Sequence, residues 1–192
     1  MPPASGIVLA GGASRRMRID KRLIVVDGEP LLRRVARVVA DATDELIVVV
    51  SQSRPLPDGA LDGMDVRVTV DRRADAGPLA GLEAGLAAAS HELVVAVAAD
   101  MPWLHARLLR QLVDRLAETD ADVAAAATGH GAQPLLAAYR RDPALTAASR
   151  LLDAGERRMR ALLGTLSVVE VEADVRATTN VNEPADLAEA MR

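Results

Sequence analysis

The fold of this 192-residue chain is decided first by the stretch Gly6-Ile7-Val8-Leu9-Ala10-Gly11-Gly12. Its apolar run is too short for a helix and ends at a pair of glycines, so it predicts a buried β-strand followed by a tight loop. Glycines leave backbone N–H groups open to the approach of a bound phosphate. The stretch therefore indicates a first strand followed by a loop that a phosphate can approach, with a plain turn as the alternative.

Outward from this stretch, short apolar runs alternate with segments whose apolar residues recur at helical spacing. The strand-like runs cover residues 23–26, 46–50, 66–70, 93–99, 123–127, 134–139 and 167–171. The helical patterns cover residues 30–39, 79–86, 104–116, 143–154, 156–163 and 184–191, and residues 53–65 predict a loop. This alternation predicts a mostly parallel central sheet flanked by helices. Such sheets bind ligands at the carboxyl ends of their strands, here after Ala10, Val50, Val70 and Ala99.

Two aspartates close strands at that predicted edge. Asp100 follows the most apolar run in the chain, and Asp71 follows the run at residues 66–70. Mg²⁺ is typically held by one or two carboxylates together with substrate phosphates, so Asp100 is a candidate metal ligand. The alternatives are that Asp100 caps the helix after Pro102 and that Asp71 is an ordinary turn residue.

Composition limits the partners that we expect. The formal net charge of −4 gives no electrostatic reason to expect DNA or RNA. The absence of cysteine excludes disulfides and thiolate metal sites. No basic leader precedes the first strand, and no apolar stretch approaches the ~20 residues of a membrane span. We therefore expect a cytoplasmic protein that has no membrane partner.

Positive charge is concentrated just after the glycine pair. Residues 15–22 hold five basic side chains and one acidic one. Such a segment in an acidic protein indicates an anionic ligand, with a solvated basic turn as the alternative. Lys21 is the only lysine among 23 lysine and arginine residues, which favours a position where a compact charge contacts a phosphate, unless it is there by chance. The segment matches neither the G-x-G-x-x-G pattern nor the P-loop pattern.

Seven motifs then occur in a fixed order along the chain. They are Leu9-Ala10-Gly11-Gly12, Arg16-Met17, Asp20-Lys21, Asp27-Gly28-Glu29-Pro30-Leu31, Gly77-Pro78-Leu79-Ala80-Gly81, Asp100-Met101-Pro102 and Asn180-Val181-Asn182-Glu183-Pro184. Together they resemble the molybdenum cofactor guanylyltransferase family, within the wider nucleotidyltransferases. The resemblance implies a three-layer Rossmann-like nucleotidyltransferase fold in one domain over residues 1–192. The nucleotide-binding half would be about 1–100 and the acceptor-binding half about 101–192.

The resemblance also implies roles for individual residues. The residues implied to bind the nucleotide are Leu9, Ala10, Gly11, Gly12, Lys21, Ser51, Asp71 and Asp100. Those implied to be catalytic are Arg16, Lys21 and Asp100, and Asp100 is also the implied ligand of Mg²⁺. On the acceptor side, the matching residues are Asn180 and Asn182.

The activity implied by the resemblance is transfer of GMP from GTP to the phosphate of molybdopterin or molybdenum cofactor, with release of pyrophosphate. Transient contact with proteins that make or receive the cofactor is implied as well. A phosphate nucleophile is largely ionised at neutral pH, so we expect no general base. The alternatives are cytidylyl transfer to the cofactor, sugar-phosphate nucleotidyl transfer, and a non-catalytic nucleotide-binding protein. Arg18, which stands where the family has glycine, is the residue that favours the last of these.

Overall fold

A computed structural model describes residues 2–11, 20–73, 76–129 and 131–181. Its strands are β1 (Ala4–Leu9), β2 (Val25–Val26), β3 (Glu29–Pro30), β4 (Glu45–Ser51), β5 (Arg67–Asp71), β6 (Leu93–Ala98), β7 (Val123–Thr128), β8 (Gly131–Arg140) and β9 (Val168–Glu172). Its helices are α1 (Leu31–Ala40), α2 (Gly77–Ala88), α3 (Ala106–Ala117), α4 (Arg141–Asp153) and α5 (Met159–Leu163). Short 3-10 helical turns lie at Lys21–Leu23 and Arg176–Thr178. The helix predicted at residues 184–191 falls outside the described residues.

The main sheet has seven strands in the order β5-β4-β1-β6-β8-β7-β9. The pairs β5-β4, β4-β1, β1-β6 and β7-β9 are parallel, whereas β8 is antiparallel to both of its neighbours. The central strands β1, β4 and β6 are buried along nearly their whole length, which explains their continuous apolar sequence. The predicted mostly parallel α/β sheet is confirmed, with one reversed strand.

Helices cover both faces of this sheet and complete the three layers. On one face, α1 and α3 bury a stripe that includes Val35 and Leu109. On the other face, α2, α4 and α5 bury a second stripe that includes Leu82 and Leu162. None of the helices in the described part of the chain is long and apolar enough to cross a membrane.

Helix α2 lies unusually close to β1 because it carries two glycines one turn apart. A Cβ atom added at Gly85 would lie 2.7 Å from Ile7 Cδ1, and one added at Gly81 would lie 3.3 Å from Leu9 Cδ2. Alanine at Gly85 would therefore require Ile7 or the helix to shift, whereas at Gly81 a small movement of Leu9 would suffice. This close packing sets the position of the first turn of α2, beginning at Gly77, at the carboxyl ends of the strands.

The segment predicted as a strand at residues 23–26 is divided between two structures. Its first residue closes the 3-10 turn Lys21–Leu23, and its last two form β2, which pairs with β3 in a hairpin. The hairpin turns at Asp27 and Gly28, whose φ angles of 50° and 83° are typical of a type I′ turn. Pro30 closes this hairpin, so α1 begins at Leu31, one residue later than expected.

Candidate active site

A cleft of about 620 Å³ opens at the carboxyl ends of β1, β4, β5 and β6. This is the edge at which an open parallel sheet binds its ligands. The cleft brings together the sequence-predicted residues Leu9, Ala10, Gly11, Lys21, Ser51, Asp71, Asp100 and Asn180. Three further predicted residues, Gly12, Arg16 and Asn182, lie outside the described ranges, as does Arg18.

The loop after β1 is fixed between the two neighbouring strands. The N–H of Ala10 donates to the carbonyl of Val49 at 2.8 Å, and the carbonyl of Leu9 accepts the N–H of Ala99 at 3.1 Å. At Gly11, an added Cβ would lie 3.1 Å from the backbone nitrogen of Ser51. A side chain there would press on the main chain at the end of β4, so glycine at this position permits the loop after β1 to approach that strand closely.

Asp100 follows β6 and lines the same cleft. Its Oδ1 atom is buried and has no hydrogen-bond partner within the described residues. Burial raises the pKa of Asp100 above its ordinary value, although the positive charge of nearby Lys21 acts in the opposite direction. A buried carboxylate oxygen without a partner is costly, and a bound cation would relieve that cost.

The donor set at Asp100 fits Mg²⁺ that arrives together with a polyphosphate. The described residues contain no cluster of three or more metal-ligating side chains, so the protein itself does not supply a full set of ligands there. Mg²⁺ commonly binds one or two carboxylates and takes its other oxygens from water and substrate phosphates. The helix-cap alternative for Asp100 is wrong, because α3 is capped by His105, whose side chain accepts the N–H of Leu108.

Asp71 ends β5 directly beside Ser51, the last residue of β4. Its Oδ1 atom accepts the N–H of Arg73 at 2.8 Å, so Asp71 is a turn residue as well as part of the cleft. Burial, joined by the negative charge of Glu83, raises its pKa despite the opposing bond and charge of Arg73. Ser51 and Asp71 therefore present a hydroxyl and a carboxylate side by side.

The basic segment after the glycine pair does not act as one unit. Lys21 and Arg22 both line the cleft, but Arg22 is largely buried, with 8% of its surface exposed. The guanidinium of Arg22 pairs with Asp20 at 2.6 Å, and this bond holds the pKa of Asp20 below its usual value. The expectation that the basic residues of this segment meet an anionic ligand therefore does not hold for Arg22, which is neutralised within the protein.

Arg73 and Leu135 are among the residues that line the cleft but were not predicted as site residues. Arg73 pairs with Glu83 and with Asp153, each at 2.8 Å, and its sequence neighbours give no sign of these partners. Leu135 reaches the cleft from a bulge in β8, where the register with β7 jumps between residues 137 and 133. Pro134, which cannot donate a ladder hydrogen bond, was the available signal for that bulge.

The remaining parts of the cleft come from α2 and from the segment after the second 3-10 turn. Gly77, with φ of 74°, and Pro78 line the cleft at the first turn of α2, which has no side-chain cap. Uncapped N–H groups of a first turn are suited to an anion. Asn180 is exposed and also lines the cleft, and the next residue, Val181, donates its N–H to the carbonyl of Asp100 at 2.9 Å.

Residues 6–171 match the model of the MobA-like NTP transferase domain. A probable molybdenum cofactor guanylyltransferase from Natronomonas pharaonis is 34% identical over 99% of this chain and 98% of its own length. A molybdenum cofactor guanylyltransferase from Burkholderia ambifaria is 37% identical over 100% of this chain and 97% of its own length. A probable molybdenum cofactor guanylyltransferase from Mycobacterium bovis is 35% identical over 99% and 94% of the two chains.

Solved structures share the fold at lower identity. Molybdopterin-guanine dinucleotide biosynthesis protein A from Archaeoglobus fulgidus has a TM-score of 0.81 at 23% identity, covering 97% of this chain and 96% of its own. A nucleotidyl transferase from Methanothermobacter thermautotroptrophicus has a TM-score of 0.81 at 24% identity, covering 97% and 95%. A 2-C-methyl-D-erythritol 4-phosphate cytidylyltransferase from Thermus thermophilus has a TM-score of 0.72 at 16% identity, covering 96% of both chains.

Proposed function

The chain belongs to the MobA-like NTP transferase domain family, and from this premise we propose that it transfers GMP from GTP to the terminal phosphate of molybdopterin or molybdenum cofactor. An oxygen of the acceptor phosphate attacks the α-phosphorus of GTP. The bond from that phosphorus to the bridging oxygen of the β-phosphate breaks, and pyrophosphate leaves. Relatives that carry the name guanylyltransferase are 34%, 37% and 35% identical over nearly the full length of the chain, and this supports guanylyl transfer over the other nucleotidyl transfers.

The observation that carries the proposal is the placement of Lys21 and Asp100 in one cleft. The charge of Lys21 acts on Asp100, whose buried Oδ1 has no partner in the described part of the chain. A triphosphate with its divalent ion requires both a cation and a carboxylate at the strand ends. This juxtaposition supports a triphosphate site, with Lys21 and Asp100 as its two charged residues.

The base and ribose would lie against the backbone of Leu9, Ala10 and Gly11, between Ser51 and Asp71. Among the described residues, the lining of the cleft includes none of the aromatic side chains on which a base usually stacks. Recognition must then depend on hydrogen bonds. An ionised carboxylate only accepts hydrogen bonds, and guanine offers amino N–H donors that suit Asp71.

The triphosphate would be held by Lys21, by the backbone N–H groups of Gly11 and Gly12, and by Arg16. These groups offset the charge that develops on departing pyrophosphate. Mg²⁺ bound at Asp100 would supply further neutralisation of the phosphate oxygens during transfer. The roles of Gly12 and Arg16 rest on the family motif alone.

The acceptor would meet Asn180 and Asn182 with its phosphate already ionised, so the protein need not remove a proton from it. The described histidines agree with this, because His105 caps α3 and His91 lies at the other end of the sheet beside Ser5. The reaction is proposed to occur in the cytoplasm. Transient contact with proteins that make or receive the cofactor remains a prediction.

The direct test is to incubate the purified protein with GTP, Mg²⁺ and molybdopterin and to detect the dinucleotide product by mass spectrometry. Parallel reactions contain CTP or UTP, or EDTA in place of Mg²⁺. We expect product with GTP and Mg²⁺ only. Product with CTP instead would identify a cytidylyltransferase, and nucleotide binding without pyrophosphate release would identify a non-catalytic binding protein.

A further inference from the structure

Arg22 has no assigned role in the reaction, although it follows Lys21 directly. We propose that Arg22 is a positioning residue that holds Lys21 in place against the triphosphate. The same side chain links Lys21 to the two loops that border the proposed base site, one at Ala10 and the other at Arg54. This inference rests on the proposed function and extends it to a residue that lines the cleft while its guanidinium is bonded within the protein.

The first part of the argument is the fork between Arg22 and Asp20. Arg22 Nε donates to Asp20 Oδ1 at 2.9 Å, and Arg22 Nη2 donates to Asp20 Oδ2 at 2.6 Å. The backbone N–H of Arg22 also donates to Asp20 Oδ1, at 3.0 Å. Lys21 lies between these two residues, so its main chain is held from both sides.

The second part is the set of carbonyls that the same guanidinium reaches. Arg22 Nη1 donates to the carbonyl of Arg54 at 3.2 Å and lies 3.5 Å from the carbonyl of Ala10. Ala10 is in the loop after β1, and Arg54 forms a β-bridge with Ser51 at the end of β4. One buried side chain therefore connects Asp20 to both loops that border the proposed base site.

The third part is that the local backbone has little stability of its own. Lys21 lies in a 3-10 turn of three residues, and such turns have poorer hydrogen-bond geometry than α-helices. The position of Lys21 therefore depends on contacts made by its neighbours. The Arg22–Asp20 pair makes those contacts and neutralises its own charge within the protein.

The hydrogen bonds that Arg22 makes to Asp20 and to the two carbonyls require an arginine. A guanidinium can form two parallel bonds to a carboxylate and still donate to carbonyls on its other side, whereas an ammonium has no such planar geometry. Arg22→Lys keeps the charge and removes the fork. It therefore tests geometry without leaving Asp20 beside an apolar side chain.

The test is a double-mutant cycle with Arg22→Lys and Lys21→Ala. We measure kcat and KM for GTP by pyrophosphate release, and the Kd of inorganic pyrophosphate with Mg²⁺ by calorimetry. Arg22→Lys alone should lower kcat about tenfold, as loss of an outer-shell contact typically does, and should raise the Kd of pyrophosphate. In the Lys21→Ala background it should change either quantity by no more than about twofold, because the residue through which it acts is gone.

The matched control is Arg67→Lys. Arg67 also contacts one carboxylate, Glu45 at 3.1 Å, and one carbonyl, Ala88 at 2.7 Å, but at the other end of the sheet. It should leave kcat and the pyrophosphate Kd unchanged. An Arg22→Lys effect of equal size in both Lys21 backgrounds would overturn the proposal, since it would show a structural role independent of Lys21.

Asp20→Asn provides a second route if Arg22→Lys does not fold. It removes the charge of the partner while keeping its shape, and the same cycle with Lys21→Ala applies. Absence of dinucleotide product from wild-type protein would refute the proposed function. The pyrophosphate arm would still decide the role of Arg22, because it needs no acceptor and no turnover.

Discussion

Glu45 lies at the amino end of β4, and Asp100 follows the carboxyl end of β6. The two carboxylates therefore lie at opposite ends of the parallel strands, which we call the amino edge and the carboxyl edge of the sheet. Glu45 accepts hydrogen bonds from Ser5 Oγ at 2.6 Å, from Ser90 N at 2.9 Å and from Ser90 Oγ at 3.0 Å, and it pairs with Arg67 at 3.1 Å. Burial alone would raise the pKa of Glu45, but these bonds and this charge outweigh it and leave the pKa lowered.

Asp100 shows the opposite balance. Burial dominates and its pKa is raised, while its Oδ1 atom has no partner in the described ranges. The pKa of Asp71 at the same edge is raised as well. The difference teaches that the amino edge satisfies its charges internally, whereas at the carboxyl edge the buried Oδ1 atom of Asp100 has no partner among the described residues. Perturbed carboxylates gathered in a cleft are a recognised mark of functional sites.

The hydrogen-bond network at the amino edge also includes His91. Ser5 gives its only hydroxyl proton to Glu45, so it can only accept from the backbone N–H of His91 at 3.2 Å and from His91 Nδ1 at 3.0 Å. His91 must therefore carry a proton on Nδ1. Each bond in this group has a defined direction, which is typical of a structural network.

The largest expected effect is that of Asp100→Asn at the carboxyl edge. Loss of this carboxylate should lower guanylyl transfer on the order of 10²–10³-fold, comparable to removing one preorganised group that stabilises transition-state charge. The free energy of unfolding should stay the same or rise, because the variant removes a desolvated charge. Rates from pyrophosphate release and urea titrations measure the two quantities. Unchanged activity with unchanged Mg²⁺ dependence would remove Asp100 from the mechanism.

Glu45→Gln should have the reverse signature at the amino edge. The amide has one acceptor oxygen in place of two, so its NH₂ group must face a donor. We expect the free energy of unfolding to fall by about 1–3 kcal/mol while kcat is unchanged. Glu92→Gln, at a side chain that is 77% exposed and paired with Arg140, is the matched control and should have little effect. A loss of activity in Glu45→Gln at full folding would contradict the division between the edges.

The two edges should also respond in opposite directions to pH. Glu45 has a lowered pKa, so it contributes stability above its unfolded value of about 4.3, and this is lost as the pH falls through the folded pKa. Asp100 has a raised pKa, so its ionisation costs stability as the pH rises from about 3.9 through the folded pKa. Urea titrations from pH 3 to about 7 should therefore show Asp100→Asn gaining on wild type as pH rises. A constant difference would refute this assignment.

Arg67→Met should have the smallest effect of the series. Arg67 is 55% exposed, so its pair with Glu45 is screened by water and should contribute about 0–1 kcal/mol. The hydrogen bonds from Ser5 and Ser90 would still satisfy Glu45. A melting temperature close to that of wild type is the expected result, and a large drop would mean that the charge of Arg67, rather than the serines, stabilises the amino edge.

The sequence was most informative at the positions where an apolar run ends at a polar residue. The apolar runs that became β1, β4 and β6 located the carboxyl edge, and with it Asp100, because a buried strand must end at polar residues. Asp71 was located by the alternating run that became β5. The reversed direction of β8 was beyond reach, since an apolar run looks the same in either direction. The division of residues 23–26 between a 3-10 turn and β2 depended on the type I′ turn at Asp27 and Gly28. The pattern of apolar residues gives no sign of how that turn affects Leu23.

The roles of charged residues were harder to predict than their positions. Arg22 and Lys21 are neighbours in the same basic segment and both line the cleft, yet Arg22 is buried and paired with Asp20. Arg73 takes its fixed position from Glu83 and from Asp153, which is 80 residues away. Composition and motif order cannot separate such residues, because burial and pairing arise only when distant segments meet.

Lys21 has one more consequence, which concerns how this protein can be observed. It is the single lysine of the chain, and it lines the proposed catalytic cleft. Reductive methylation with ¹³C-formaldehyde would place one reporter at this side chain, besides that on the terminal amine. An NMR spectrum of the native sequence would then contain one side-chain resonance from the cleft. Nucleotide, metal and acceptor could each be followed through that resonance without introducing any mutation.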